Sequence, residues 1–299
     1  MTGDSGPLSG GNLSARWWGK SGENDVTCGL CFRRCRLSEG AAGVCGVRFN
    51  AGGTLVSPWL GRFAASAVDP VEKKPLAHWR PGSFIFSLGS VGCTMDCPFC
   101  QNHTIARPAP GSFPSFKSVP FLPPQTLVRE VRGLGLDSVA FTYNEPTLQA
   151  EYVLEAAPLL REAGIALVLV TNGALSKEAS DALMPWVDAA NIDLKAFTPE
   201  GYRRLGGDLE AVKAVITSWV RGGVHVELTN LVVPGLNDNR GVFAAMADWI
   251  AALSPDIPLH ISRCFPRRNY FGPPTDIGLL HDLAAAARTR LSHVHLGNV

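Results

Sequence analysis

From residue 83 onward, short β-branched apolar runs alternate with longer amphipathic stretches, and this rhythm restricts the fold more than any other feature. Strands are predicted at 83–90 ("SFIFSLGS"), 138–143 ("SVAFTY"), 166–171 ("ALVLVT"), 189–194, 224–233, 258–262 and 293–297. Helices are predicted between them at 125–135, 148–164, 177–187, 209–223, 241–253 and 277–290. Strands bounded by Gly, Pro and Asn, each followed by a helix, make βα units and a parallel sheet. Six such units suit a full or partial (β/α) barrel. A doubly wound open sheet shares the same period, and periodicity alone does not separate the two.

Residues 1–82 have a different texture. Four cysteines, Cys28, Cys31, Cys35 and Cys45, fall within "CGLCFRRCRLSEGAAGVC", and a turn-rich stretch without helical period follows. This segment reads as a small Cys-rich module and connector, with 83–299 as the barrel. The lead-in "MTGDSGPLSGGNLSAR" is Gly/Ser-rich and lacks the apolar core of a signal peptide. The aliphatic run "IALVLV" at 165–170 is far too short to span a bilayer. A formal charge of +1 points to neither nucleic acid nor an anionic membrane surface. The expected compartment is therefore the reducing cytoplasm, where clustered thiols argue for metal over disulfides.

In parallel α/β folds ligands bind at the carboxyl ends of the strands. "GCTMDCPFCQN" (92–102) follows the first predicted strand, "YNEP" (143–146) the second, "TNG" (171–173) the third and "DLK" (193–195) the fourth, and His260 lies on the sixth. Together these favour one shared site. Cys93, Cys97 and Cys100 follow C-x₃-C-x₂-C with no fourth cysteine nearby. Closed zinc sites and ordinary iron–sulfur clusters take four protein ligands. Three thiolates therefore fit a [4Fe–4S] cluster with one open iron, or a zinc site completed by His103.

On these residues the chain resembles radical S-adenosylmethionine (SAM) enzymes. It is similar to the group that joins the AmmeMemoRadiSam family to the pyruvate formate-lyase activating enzymes. "VDPVEKKPLAHWRPGS", "GCTMDCPFCQN", "TYNEPT", "VTNG", "NIDLK" and "PLHISR" carry the likeness, which runs from about Cys28 to Val299. It implies an α/β fold, a partial (β/α)6-type radical SAM barrel behind the Cys-rich module. It also implies an enzyme in which SAM chelates the open iron of a cluster on Cys93, Cys97 and Cys100. Reductive cleavage then yields methionine and a 5′-deoxyadenosyl radical that abstracts hydrogen from a substrate. That substrate is either a glycine in a partner protein, as for the activases, or a small molecule. An electron donor such as flavodoxin or ferredoxin is implied as well. The rival class is a non-enzymatic iron–sulfur or zinc protein, a redox sensor or assembly scaffold, which has no need of SAM-site residues.

By the same resemblance Asn144 and Glu145 meet the SAM amino group. Thr171, Asn172 and Asp193 place its carboxylate or ribose, Lys195 offers a point charge, and His260 sits beside the methionine part. Some activases carry an acidic residue before "TNG" for a monovalent cation; Val170 stands there in this chain. Phe99 is expected beside the adenine, over the cluster, or in the core. Cys28, Cys31, Cys35 and Cys45 match a closed four-thiolate site in ligand number, with zinc and a second iron–sulfur cluster both open. Lys73 and Lys74 of "DPVEKKP" belong to a solvated connector or project toward the site, and the lone Cys264 reads as core. Many relatives carry a further Cys-containing tail beyond the position of Val299.

Overall fold

In the computed structural model, residues 15–108 and 115–299 are described, so the Gly/Ser-rich lead-in lies outside them up to residue 14. Five short strands build the N-terminal module. β1 (Trp18–Lys20), β2 (Val26–Cys28) and β3 (Arg36–Leu37) form one antiparallel sheet, and β4 (Phe49–Ala51) pairs with β5 (Thr54–Val56). β6 (Ala65–Pro70), β7 (Phe84–Gly89), β8 (Ser138–Phe141), β9 (Ala166–Thr171), β10 (Ala189–Asp193), β11 (His225–Val232), β12 (Leu259–Arg263) and β13 (Val294–Gly297) follow. They join in sequence order into one eight-stranded sheet. β7 through β13 run parallel, β6 is antiparallel to β7, and β6 and β13 remain the two edges. The architecture is therefore a partial barrel of six βα units followed by a seventh parallel strand.

The helices are α1 (His103–Ala106), α2 (Pro124–Gly133), α3 (Ala150–Glu162), α4 (Lys177–Leu183), α5 (Pro199–Arg204), α6 (Leu209–Arg221), α7 (Arg240–Leu253) and α8 (Ile277–Arg288). Their starts are written in the sequence. Ser176, Asp208, Asn239 and Asp276 each accept an amide from the first turn of α4, α6, α7 and α8. α5 was not expected, although Thr198 caps it and Pro199 opens it. The outer faces of the strands bury Leu88, Phe141, Leu169, Ile192 and Leu228 among the apolar faces of these helices.

The inner face is filled differently. Ile85, Ala140, Val168 and Ala189 pack against Val71 and Leu76, which arrive from the connector between β6 and β7. That connector enters the amino-terminal end of the barrel as a plug. Asn191 donates to the Pro75 carbonyl at 2.8 Å, and the Glu227 carboxylate accepts from Ala77 N at 2.9 Å and His78 N at 2.8 Å. β6 itself was read as irregular connector. Its six residues, "ASAVDP", have weak strand propensity and no fully buried position, so pairing with β7 alone makes them a strand. Lys73 is the solvated lysine of the pair, whereas Lys74 is only 2 % exposed and ion-paired to Asp69 at 2.6 Å.

The N-terminal module rests on the barrel through polar contacts that leave little freedom. Arg48 and Glu151, both almost wholly buried, pair at 3.0 Å, and Glu151 also takes the Arg16 amide. Arg33 Nε donates to the Thr94 carbonyl and Ser176 N to the Leu30 carbonyl. Gly92 adopts φ +93°, and a Cβ there would lie 2.7 Å from the Cys45 carbonyl, so only glycine lets the module approach this loop.

Two stability effects follow. Arg48→Met should cost about 3–5 kcal/mol, because Glu151 is left buried and unpaired, and adding Glu151→Leu should recover part of it. Denaturant unfolding of the single and double variants reads this directly. Burial alone would raise the pKa of Glu227, but hydrogen bonds from His225, His260, Ala77 N and His78 N outweigh it and hold the carboxyl well below its ordinary 4.5. A group depressed in this way stabilises the fold above its unfolded pKa, and that stabilisation fades as the pH falls below about 4.5 toward the folded value. Glu227→Gln should lower the melting temperature at neutral pH and flatten its decline in acid; parallel acid limbs for the two proteins would refute the assignment.

Candidate active site

The carboxyl end of β7 runs into the loop that carries Cys93, Cys97 and Cys100, and the loop closes with α1. A cleft of about 240 Å³ opens at this end of the barrel, lined by the three cysteines, Phe99, Asn144, Glu145, Asn172, Asp193 and Lys195. Eight of the nine side chains expected at the cluster and SAM positions on β7 through β10 thus share one cleft. Thr171, the ninth, is buried behind it and donates its hydroxyl to Glu145 at 2.7 Å. His260, expected on β12, is not brought to the cleft. It lies deeper on the inner face, with Nε2 2.6 Å from Glu227 and its ring stacked on His295. A separate apolar cleft beside α4 and α6, lined by Leu175, Ala211 and Val215, holds no thiol.

Two adjacent residues organise the loop. Asn144 accepts Ser90 N at 3.0 Å and donates to the Gly92 carbonyl at 2.9 Å, so its amide is spent on the entry to the loop. Glu145 is 1 % exposed; Oε1 accepts from Thr147 N, the Thr147 hydroxyl and the Thr171 hydroxyl, and Oε2 accepts from Asn172 N. Asn172 in turn donates to the Thr94 hydroxyl at 3.0 Å and reaches Cys93 Sγ at 3.6 Å. At the opposite wall Lys195 Nζ meets Asp193 Oδ2 at 2.8 Å.

Burial dominates the electrostatics of the thiols. Burial, reinforced by the charge of Glu145, pushes Cys93 up to about 12, and burial pushes Cys97 up to about 11 against the pull of Lys195. Bare thiolates are thus disfavoured here, and the thiols would be held deprotonated only against a compensating positive charge, such as a metal centre would supply. All eight cysteines are free. The donor set of three thiols on one short loop, lining a polar cleft, fits a cluster. Among the described residues no three His, Cys, Asp or Glu side chains already stand together as ligands of a single ion, and His103 Nδ1 lies 3.1 Å from the Cys100 carbonyl.

The four early thiols lie close enough to influence one another electrostatically. Burial drives Cys31 up to about 12, with the charges of Cys28, Cys45 and Cys35 adding to it, and Gly43 sits against both Cys45 and Cys35. Cys264 is a buried core residue. Sequence reasoning missed Thr229 and Ser262, which line the cleft from β11 and β12. Their signal was a polar residue on an otherwise apolar strand, in "VELTNL" and "LHISR", each two residues past Glu227 or His260; Thr229 pairs with His260, and Ser262 with Leu231.

The model of the radical SAM superfamily matches residues 88–249, from the end of β7 into α7. The chain is 34% identical over 290 residues to the uncharacterized protein MJ0808 of Methanocaldococcus jannaschii, spanning 95% of this chain and 85% of that one. Streptococcus suis SuiB bound to S-adenosylmethionine superposes with a TM-score of 0.53 at 13% identity, over 69% of this chain and 48% of SuiB. A radical SAM methyltransferase from Sphaerobacter thermophilus gives 0.53 at 16% identity, over 73% of this chain and 67% of that one. These two share the fold. No helix among the described residues is long and apolar enough to cross a membrane. The family match decides for an enzyme over a redox sensor or scaffold. It covers more than half of the sequence, and the chain belongs to the radical SAM superfamily.

Proposed function

We propose that the cleft binds a [4Fe–4S] cluster on Cys93, Cys97 and Cys100 with SAM beside it, for hydrogen abstraction from a substrate. The observation that carries this is the convergence of three thiols with Asn172, Asp193 and Lys195 on one cleft at the carboxyl end of the sheet. When bound there, the reduced cluster supplies the electron that cleaves the sulfonium C–S bond of SAM. The chain's own residues bind and orient. Lys195 is kept protonated: burial opposes its charge, but Asp193 and Cys97 outweigh burial and raise its pKa. It is thereby suited to a carboxylate, while Asp193 suits an ammonium. Glu145 has its oxygens taken by Thr147, Thr171 and Asn172, so its part is to aim Asn172 at the Cys93 thiol rather than to meet SAM alone.

The resemblance to the activases supports a glycine of a partner protein as hydrogen donor, with a flavodoxin- or ferredoxin-type protein supplying the electron. A glycyl radical signal in a partner chain separates this from a small-molecule donor. Cys28, Cys31, Cys35 and Cys45 are assigned a second metal, zinc or iron–sulfur. The Arg48 guanidinium, buried beside Cys28 and Cys45, supplies part of the charge such a centre needs.

Replacing Cys93, Cys97 and Cys100 together by Ala should abolish 5′-deoxyadenosine formation from SAM and remove about four irons, the content of one cluster. The metal on the N-terminal cysteines should survive in the same protein. A wild-type chain that forms no 5′-deoxyadenosine when reduced anaerobically would overturn the reading.

Asp193→Ala and Lys195→Ala should each weaken SAM binding about tenfold to a hundredfold, the effect of one lost charge-assisted hydrogen bond. Titration of the cluster's electron paramagnetic resonance signal measures it, with thermal unfolding as control. His260→Ala, facing Glu227 and not the cleft, should move stability more than SAM affinity. The reverse pattern would exchange these assignments.

A further inference from the structure

Tyr143 lines the cleft beside the thiols, and its backbone sits at φ +71°. A bulky residue rarely adopts this conformation, which persists only where the surroundings enforce it. Those surroundings are built around it. The ring lies against Gly89, where a Cβ would come within 2.7 Å of it. The hydroxyl donates to Asp69 Oδ2 at 2.7 Å, and the same oxygen accepts from Lys74 Nζ at 2.6 Å. Lys74 Nζ also stands 4.5 Å from the centroid of the Tyr143 ring. Burial would raise the pKa of Asp69, but the bonds from Lys74 and Tyr143 prevail and hold it down to about 2.

The same turn grips the cysteine loop at both ends, through the Tyr143 backbone carbonyl at one and the Asn144 side-chain amide at the other. The Tyr143 carbonyl accepts Asn102 Nδ2 at 2.6 Å, two residues beyond Cys100. The next residue, Asn144, holds Ser90 N and the Gly92 carbonyl just before Cys93.

We propose that Asp69 and Lys74 are positioning residues for the cluster loop, acting through Tyr143. The ion pair anchors the phenol from inside the barrel, the anchored phenol keeps residue 143 in its left-handed turn, and the turn clamps residues 90–102. This gives the lysine of "DPVEKKP" that faces inward a task connected with the cofactor, and it rests on the reading of the cleft given above.

The test uses Asp69→Asn and Tyr143→Phe in the full chain. Tyr143→Phe keeps the ring and the Asp69–Lys74 pair, so it serves if Asp69→Asn fails to fold. Amide hydrogen exchange, read without SAM, should quicken about tenfold over residues 90–102 in both variants, as for loss of roughly one hydrogen bond. Exchange in β9 and β10 should stay unchanged. In the SAM titration the midpoint should rise about tenfold, with the loss concentrated in affinity rather than in turnover at saturating SAM. Unchanged exchange in the loop overturns the proposal, as does a rise spread equally over β9 and β10, which marks a role in global stability alone. Turnover lost at saturating SAM with loop exchange unaltered also overturns it, and gives the phenol a part in the chemistry. A wild-type chain that binds no SAM sinks the reading of the cleft, while the exchange result still stands for the clamp.

Discussion

The Glu145 carboxylate joins the end of β8 to the end of β9, and the geometry of the cleft descends from that junction. Burying a carboxylate is costly, and burial does raise its pKa, but four hydrogen bonds from Thr147, Thr171 and Asn172 offset the cost. With Asn172 N held by Glu145, its side chain meets Thr94 and Cys93. The neighbouring Asn144 spends its amide on the other flank of the same loop. The cysteines are thus placed largely by residues outside the proposed ligand set, as is common where outer partners orient a metal's donors.

The N-terminal module reinforces this placement from outside. Gly92 lets the Cys45 carbonyl close on the loop, Arg33 reaches the Thr94 carbonyl, and Arg107 donates to the Met95 carbonyl and, across the boundary, to the Val44 carbonyl. The two groups of cysteines therefore stand on surfaces in direct contact. Backbone carbonyls make several of the contacts that join them.

What could be read in the sequence followed physical periodicity. All seven parallel strands and the six long helices were legible, because a strand buried on both faces leaves a dense apolar run and an amphipathic helix repeats its apolar residues at helical spacing. The thiol spacing and the polar residues at the ends of β8, β9 and β10 were legible for the same reason: turns cluster there, and so does chemistry. The rest was hidden by its dependence on distant partners. β6 exists through its pairing with β7. Lys74 looks like its solvated neighbour Lys73 until the plug folds inward. His260 lies on the expected strand, yet Glu227, mid-strand in an apolar run, draws it away from the cleft. Nothing local to residue 143 announces a left-handed tyrosine.

The plug has a consequence for the order in which the chain acquires its shape. Glu227 lies 150 residues from Ala77 and 149 from His78, and Asn191 lies 116 from Pro75. Contacts of such sequence separation form late, since the loop they close must first lose its freedom. During synthesis the floor of the barrel therefore waits for β10 and β11, while β6 and β7 can already pair. Until then the amides of Ala77 and His78 and the Pro75 carbonyl lack their partners on the inner face. The half-made sheet is a vessel without a bottom, and strands made later help to seal the first.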